Sequence, residues 1–274
     1  IFIAWLCVKD KKIKSRCIQG FLILTYIVLP GTSSTIFKTY SCEEFDGGAT
    51  RWLRADYGVD CDSNTHVSVS MSNDGKHIAT ACDDFLSVYE NIASLEWSYQ
   101  TAGQVFAVDV SADGEYIAVG SGDDKVYLFE KESNTPLWSY ETGDSVHSVS
   151  ISADGKYIAV GSQDSKVYLF HKNSSTPLWN YDTAGQVYMV SISADGEYIA
   201  AGSGDCRVYL FHKDNSTPLW SYYTESDVQS VSISADGEYI VVSSDRSSDG
   251  FVYLFDRNSS TPLWSHETEG NVRS

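Results

Sequence analysis

Proline is scarce, with five residues in 274, and several chemical signatures are missing altogether. There is no CxxC pair, no cysteine–histidine ligand spacing, no P-loop, no Rossmann glycine fingerprint and no nucleophile elbow. Those absences remove the common zinc sites, the nucleotide folds and α/β-hydrolase chemistry. The apolar stretch at residues 17–29 falls short of the roughly 20 residues that a membrane-spanning helix needs. Aromatics, by contrast, are plentiful at 13%, with 18 tyrosines and 7 tryptophans, which suits many short strands better than a helical bundle.

The net charge is −18 and unevenly placed. Residues 1–38 carry Lys9, Lys11, Lys12, Lys14, Arg16 and Lys38 against Asp10 alone, a net of +5, so the remainder carries −23. A body that acidic repels phosphate backbones, which argues against nucleic acid and for basic proteins, cationic ligands or metal ions. The basic run at 9–16, the apolar run at 17–29 and the small residues that follow have the order of a secretory signal. Residues 1–38 are therefore expected to be a signal peptide or membrane-anchor segment with a short linker, and the protein to be extracytoplasmic, secreted or tethered. A buried strand is the competing reading.

Downstream of residue 60 one segment recurs. Its turn aspartates stand at Asp74, Asp113, Asp154, Asp195 and Asp236, in steps of 39, 41, 41 and 41. Trp97, Trp138, Trp179, Trp220 and Trp264 keep the same beat, in steps of 41, 41, 41 and 44. Such a period marks units that must stack to bury their faces. Within residues 146–181, VHSVSIS alternates as a strand and ends in an Asp-Gly turn; YIAVGS, VYLF and PLWNY follow as three more. The fold expected is an all-β propeller of four-stranded antiparallel blades, first strand innermost and fourth at the rim. It spans residues 39–274, with a partial unit at 39–60, units at 61–100, 101–141, 142–182, 183–223 and 224–267, and the start of another at 268–274. The tryptophans are read as plugs between blades, and Asp123, Asp164 and Asp205 as structural turn residues.

ISADGKYIAVGSQDSKVYLF resembles the second and third strands of a WD-repeat unit, with Asp164 in the place of that family's turn aspartate. Phe170 stands where the WD tryptophan would be, and no Gly-His dipeptide precedes the first strand. KVYLFHKNSSTPLWNY is similar instead to the pyrroloquinoline-quinone (PQQ) type of repeat, with a tyrosine-bearing strand, a polar turn and Leu-Trp. Either resemblance implies a propeller, and the second makes a quinone-dependent oxidoreductase conceivable.

Positions that vary while the scaffold repeats are the candidates for function. Val67, Phe106, His147, Tyr188, Gln229 and Arg273 occupy equivalent slots at the start of each first strand. Gln104, Ser145, Gln186, Asp227 and Asn271 vary just before them. With the acidic turns between second and third strands they form the candidate binding face; drift at tolerant positions is the alternative. His147 and His66 lack a nucleophile or carboxylate partner in sequence, so no catalytic residue is assigned and no cofactor is expected. Asp245, Ser247 and Asp249 have a spacing that can wrap Ca²⁺, or simply lengthen a hairpin. Cys42 and Cys61 are read as a candidate disulfide. Asn173, Asn215 and Asn258 each begin an N-x-S/T sequon, a glycosylation acceptor or plain turn chemistry. The function expected is a non-catalytic scaffold that offers an acidic face to a protein or other ligand. A quinoprotein enzyme and a cell-surface assembly protein are the rivals.

Overall fold

The computed structural model describes residues 67–90, 94–246 and 249–268. The chain divides into two units, 1–35 and 36–274, and every described residue lies in the second. The expected leader segment, His66, Cys42, Cys61, Ser247, Asn271 and Arg273 fall outside the described residues.

Twenty strands are described, in five blades. Blade one is β1 (Val67–Met71), β2 (His77–Cys82), β3 (Phe85–Glu90) and β4 (Ser94–Gln100). Blade two is β5 (Val105–Val110), β6 (Tyr116–Ser121), β7 (Lys125–Glu130) and β8 (Trp138–Glu141). Blade three is β9 (Val146–Ile151), β10 (Tyr157–Ser162), β11 (Lys166–His171) and β12 (Trp179–Asp182). Blade four is β13 (Val187–Ile192), β14 (Tyr198–Ser203), β15 (Arg207–His212) and β16 (Asn215–Tyr223). Blade five is β17 (Asp227–Ile233), β18 (Tyr239–Arg246), β19 (Asp249–Asp256) and β20 (Trp264–Thr268). Each blade is an antiparallel sheet whose strands follow chain order, and each first strand packs against the first strand of the next blade. The chain is an all-β propeller.

The third strands show why the blades must stack. VYLF is apolar at every position because both faces of a blade are covered. In β7, Tyr127 and Phe129 enter the core shared with blade one, while Val126 and Leu128 enter the core shared with blade three. Four such cores join the five blades. The tryptophans close each core at the rim, their rings tilted against Phe129, Phe170, Phe211 and Phe255 of the following blade with centroids 5.3–5.4 Å apart. Each indole Nε1 also donates across the junction to a main-chain carbonyl: Trp97 to Lys131 at 2.5 Å, Trp138 to Lys172 at 2.7 Å, Trp179 to Lys213 at 2.6 Å and Trp220 to Arg257 at 2.7 Å. Trp264 differs, since no described blade follows it. It is 47% exposed, and Val241 beside it is 43% exposed although its counterparts Ala118, Ala159 and Ala200 are fully buried.

At the centre a second stitch joins the blades. The free edge of an inner strand leaves N–H groups without a ladder partner, and such groups must be satisfied elsewhere. Here a side chain of the preceding blade does it. Val110 N donates to Ser70 Oγ at 3.1 Å, Ile151 N to Asp109 Oδ2 at 2.9 Å, Ile192 N to Ser150 Oγ at 3.3 Å and Ile233 N to Ser191 Oγ at 3.2 Å. Asp109 is the one acid in this row. Its Oδ1 also accepts from Ser70 Oγ at 2.9 Å and from Val110 N at 3.0 Å. Burial pushes its carboxyl above the usual range, against the opposing pull of hydrogen bonds from Ile151, Ser70, Val110 and Ser150.

An acid whose folded-state pKa is raised binds its proton more tightly when folded. Stability therefore falls as pH climbs from about 4, where the unfolded group ionises, towards the raised value. Serine fills this slot in the other described blades, so Asp109→Ser keeps an oxygen for Ile151 N and removes the titration. Thermal melts should show the variant gaining on the parent chain between pH 4 and pH 7. A difference in melting temperature that does not change with pH would contradict the assignment.

Candidate functional site

The varying slot has a structural explanation. Val105 pairs with Ser121 and Ala107 with Gly120, which leaves Phe106 as the extra residue of a β-bulge. His147 lies in the same position between Val146 and Ser148, Tyr188 between Val187 and Met189, and Gln229 between Val228 and Ser230. A bulged residue sits outside the ladder, so its side chain is re-aimed and free to change without disturbing the register. Val67 is not one of the set. It pairs directly with Cys82, the ladder position that Val105, Val146, Val187 and Val228 fill in the other blades. The sequence alignment equated it with Phe106 because blade one is shorter.

The bulged side chains are half-buried. Phe106 and His147 stack with centroids 4.7 Å apart and planes 24° from parallel, across the junction of blades two and three. Phe106 lies over Gly122, where a Cβ would come within 2.9 Å of its ring, and Tyr188 lies over Gly204, where the approach would be 3.1 Å. Under His147 the corresponding residue is Gln163, whose amide nitrogen is 2.6 Å from His147 Nε2. An amide nitrogen only donates, so this contact uses the ring nitrogen as acceptor. Three of the four bulge residues are thus matched to a turn residue: glycine beneath Phe106 and Tyr188, glutamine beneath His147.

The turns around the bulges are held by the repeating aspartates. Asp164 Oδ2 accepts from Gly143 N at 2.8 Å and from Tyr168 Oη, and its Oδ1 accepts from Lys166 N at 3.0 Å. Asp123 does the same with Ala102 N, Tyr127 Oη and Lys125 N, and Asp205 with Ala184 N, Tyr209 Oη and Arg207 N. Burial first, and then the hydrogen bond to the aspartate, pushes the three phenols well above the ordinary tyrosine range, so they remain donors at every working pH. A threonine clamp completes each loop: Thr142 Oγ1 donates to Asp124 O and Asp144 O, and Thr183 Oγ1 to Ser165 O and Gly185 O. The face therefore carries fixed carboxylates beside aromatic bulge residues. Burial, with the nearby Asp227, raises the Tyr188 phenol as well. Gln104 and Ser145 are half-buried and Gln186 exposed in the loops that lead into the inner strands.

The remaining candidates separate from this face. Asn173 and Asn258 are exposed in third-to-fourth turns, at the opposite ends of the strands, while Asn215 opens β16 and pairs with His212. Asp245 pairs with Gly250 and Arg246 with Asp249, so the three-residue insertion prolongs the β18–β19 hairpin. No group of three or more His, Cys, Asp or Glu poised for a metal occurs among the described residues. Cys82 is disulfide-bonded and Cys206 is a free thiol. The repeat gives Cys82 no signal, since its counterparts in the other units are Ser121, Ser162, Ser203 and Ser244.

A family model described as outer membrane protein assembly factor BamB, of the PQQ-like repeat type, matches residues 46–266. The chain belongs to that family. Of the two propeller resemblances in the sequence, the match falls on the PQQ-like one. A search of the curated proteins finds no match. Family membership raises the question of the quinone itself, which carries three carboxylates and requires cationic partners. On the bulge face the carboxylates of Asp123, Asp144, Asp164, Asp205 and Asp227 outnumber the cations Lys125, Lys166 and Arg207, which stand at the heads of β7, β11 and β15. Among the described residues of this PQQ-like propeller, that acidic majority is a poor match for the three carboxylates of the quinone.

Proposed function

We propose that this PQQ-like propeller is a non-catalytic, extracytoplasmic scaffold that holds a protein partner against the face bearing its bulge residues. The observation that carries the reading is the bulge itself. Four successive blades expel one residue from an otherwise repeating ladder on the same face, and those residues are Phe106, His147, Tyr188 and Gln229. A rigid sheet that presents aromatic anchors loses little entropy on binding, and such anchors dominate interface energies. The family's printed name, an outer membrane protein assembly factor, agrees with a protein partner and with a place outside the cytoplasm. The basic and apolar runs at the head of the chain agree with export or a membrane tether. The charge of −18 favours a basic partner surface over nucleic acid.

Chemical cross-linking in the envelope fraction of the source cells tests this reading. The double variant Phe106→Ala/Tyr188→Ala should recover at least tenfold less of the cross-linked partner than the parent chain, while Leu178→Ala on the rim recovers it in full. Equal recovery from the double variant would remove the bulge face as the binding surface. Ultraviolet-visible absorption of the purified protein tests the non-catalytic half. A spectrum with tryptophan and tyrosine bands alone is expected, and a quinone chromophore would overturn it.

A further inference from the structure

The geometry points to a binding site for a small zwitterion, with an apolar α-amino acid as its simplest form, in the rim cleft between blades two and three. The cleft measures about 260 Å³ and is lined by Tyr116, Glu130, Leu137, Trp138, Lys172 and Asn173. It lies at the ends of the strands opposite the bulge face and is independent of the partner proposed there.

Two positions that vary between units meet at this junction: the first is acidic in blades one, two and five and histidine in blades three and four, and the second is lysine in blades one and three and glutamate in the others. At the first stands Glu130. At the next two junctions the residue paired with the second-strand tyrosine is a histidine whose ring packs edge-on against it. His171 meets Tyr157 at 5.7 Å and His212 meets Tyr198 at 5.4 Å between centroids. Tyr116 is paired with Glu130 instead, so no imidazole fills that space. At the second stands Lys156. In blades two and four the lysine of the third-to-fourth turn is held by a glutamate of its own blade, Lys131 by Glu115 at 2.5 Å and Lys213 by Glu197 at 2.6 Å. In blade three that glutamate is replaced by Lys156, which pairs with Asp154 at 2.7 Å. Lys213 and Arg257 also reach across their junctions, 5.2 and 4.8 Å from the ring centres of Tyr157 and Tyr198. The Lys172 ammonium, with no glutamate of its own blade to hold it, comes nearer, 4.2 Å from the centre of the Tyr116 ring and 2.9 Å from its Oη.

The outcome is a cation and an anion at one opening, separated by an apolar floor. Lys172, with the Asn173 amide beside it, suits a carboxylate; Glu130 suits an ammonium; Leu137, 45% exposed, and the edge of Trp138 suit an aliphatic or aromatic side chain. A ligand with both charges is neutral overall, so the strongly acidic body does not repel it as it would an anion. A neutral ligand such as a saccharide would leave the two opposite charges without counterparts.

The repeat supplies its own test variants, because each varying position can be given a residue that sister blades already accept. Saturation-transfer NMR with L-leucine should give a signal from the parent chain. Glu130→His, which closes the space as at Tyr157 and Tyr198, should abolish it. Lys156→Glu, which recaptures Lys172 within its own blade, should raise the dissociation constant about tenfold. L-leucinamide and N-acetyl-L-leucine, each lacking one charge, should bind at least tenfold more weakly than L-leucine. Circular dichroism and melting of both variants should match the parent, since neither introduces a residue foreign to the repeat. An absence of signal from the parent at tens of millimolar L-leucine would overturn the proposal. Equal binding of the amide, or competition by methyl β-glucoside, would overturn it too.

Discussion

Replacing Trp179 with alanine is expected to lower the stability of the array by about 3–5 kcal/mol, the cost of emptying a large aromatic site that cannot collapse. Two contacts are lost at once: the tilted ring contact with Phe211 at 5.4 Å and the indole bond to Lys213 O at 2.6 Å. The carbonyl left behind at the mouth of the core adds to the loss. Trp264→Ala is the internal control, because the residue has the same place in its unit but is 47% exposed. It should cost about 1 kcal/mol or less. Urea unfolding followed by far-ultraviolet circular dichroism reads both values. Equal costs at the two positions would show that the tryptophans act within blades and not between them.

Asp164→Ala should cost about 2–4 kcal/mol, since it deprives several donors of their acceptor in one step. Tyr168 is only 3% exposed and would retain a hydroxyl with its aspartate removed. Gly143 N and Lys166 N would lose their acceptors in the same change. Asp164→Asn keeps the shape and one acceptor oxygen, and should recover roughly half of the loss. The consequence extends beyond stability. Gly143 begins the loop that delivers His147 to the bulge, so its amides should exchange with deuterium faster in the alanine variant than in the parent, while those of β15 stay protected. Uniform loss of protection across both blades would mean that the aspartate serves the whole array rather than its own loop.

The fold was legible because stacking forces repetition. Any residue that fills a junction must recur at the period of the blade, and Trp138, Trp179 and Trp220 do so without deviation. The four strands per unit were equally plain, since the inner strand alternates while the third is apolar throughout. The bulges were harder to see. Phe106, His147 and Tyr188 stood out as variable, but nothing in their spacing says that they are extra to the ladder, because they recur at the same 41-residue step as the turns and tryptophans around them. Blade one alone lacks the extra residue, and alignment by turns therefore misassigned Val67. The inner stitch did leave a trace, in the serines at alternate positions of VSVSMS and VSISADG. It was read as strand alternation because a side chain that serves the next blade has no signature within its own. The rim cleft was invisible for a different reason: its two charges, Glu130 and Lys172, come from different units and meet only where blades two and three pack.

The indole bonds at the rim end on main-chain oxygens, and this has a consequence for how such a chain diverges. A carbonyl is present whatever side chain its residue carries, so the joint places no demand on the identity of the residue that accepts it. Lys131, Lys172, Lys213 and Arg257 can be exchanged without loosening the fastening they provide. Whole units can likewise be gained or dropped by unequal recombination, because each copy brings the same donor and the same acceptor. Inheritance can thus rewrite the outer turns freely while the carpentry beneath them stays in register.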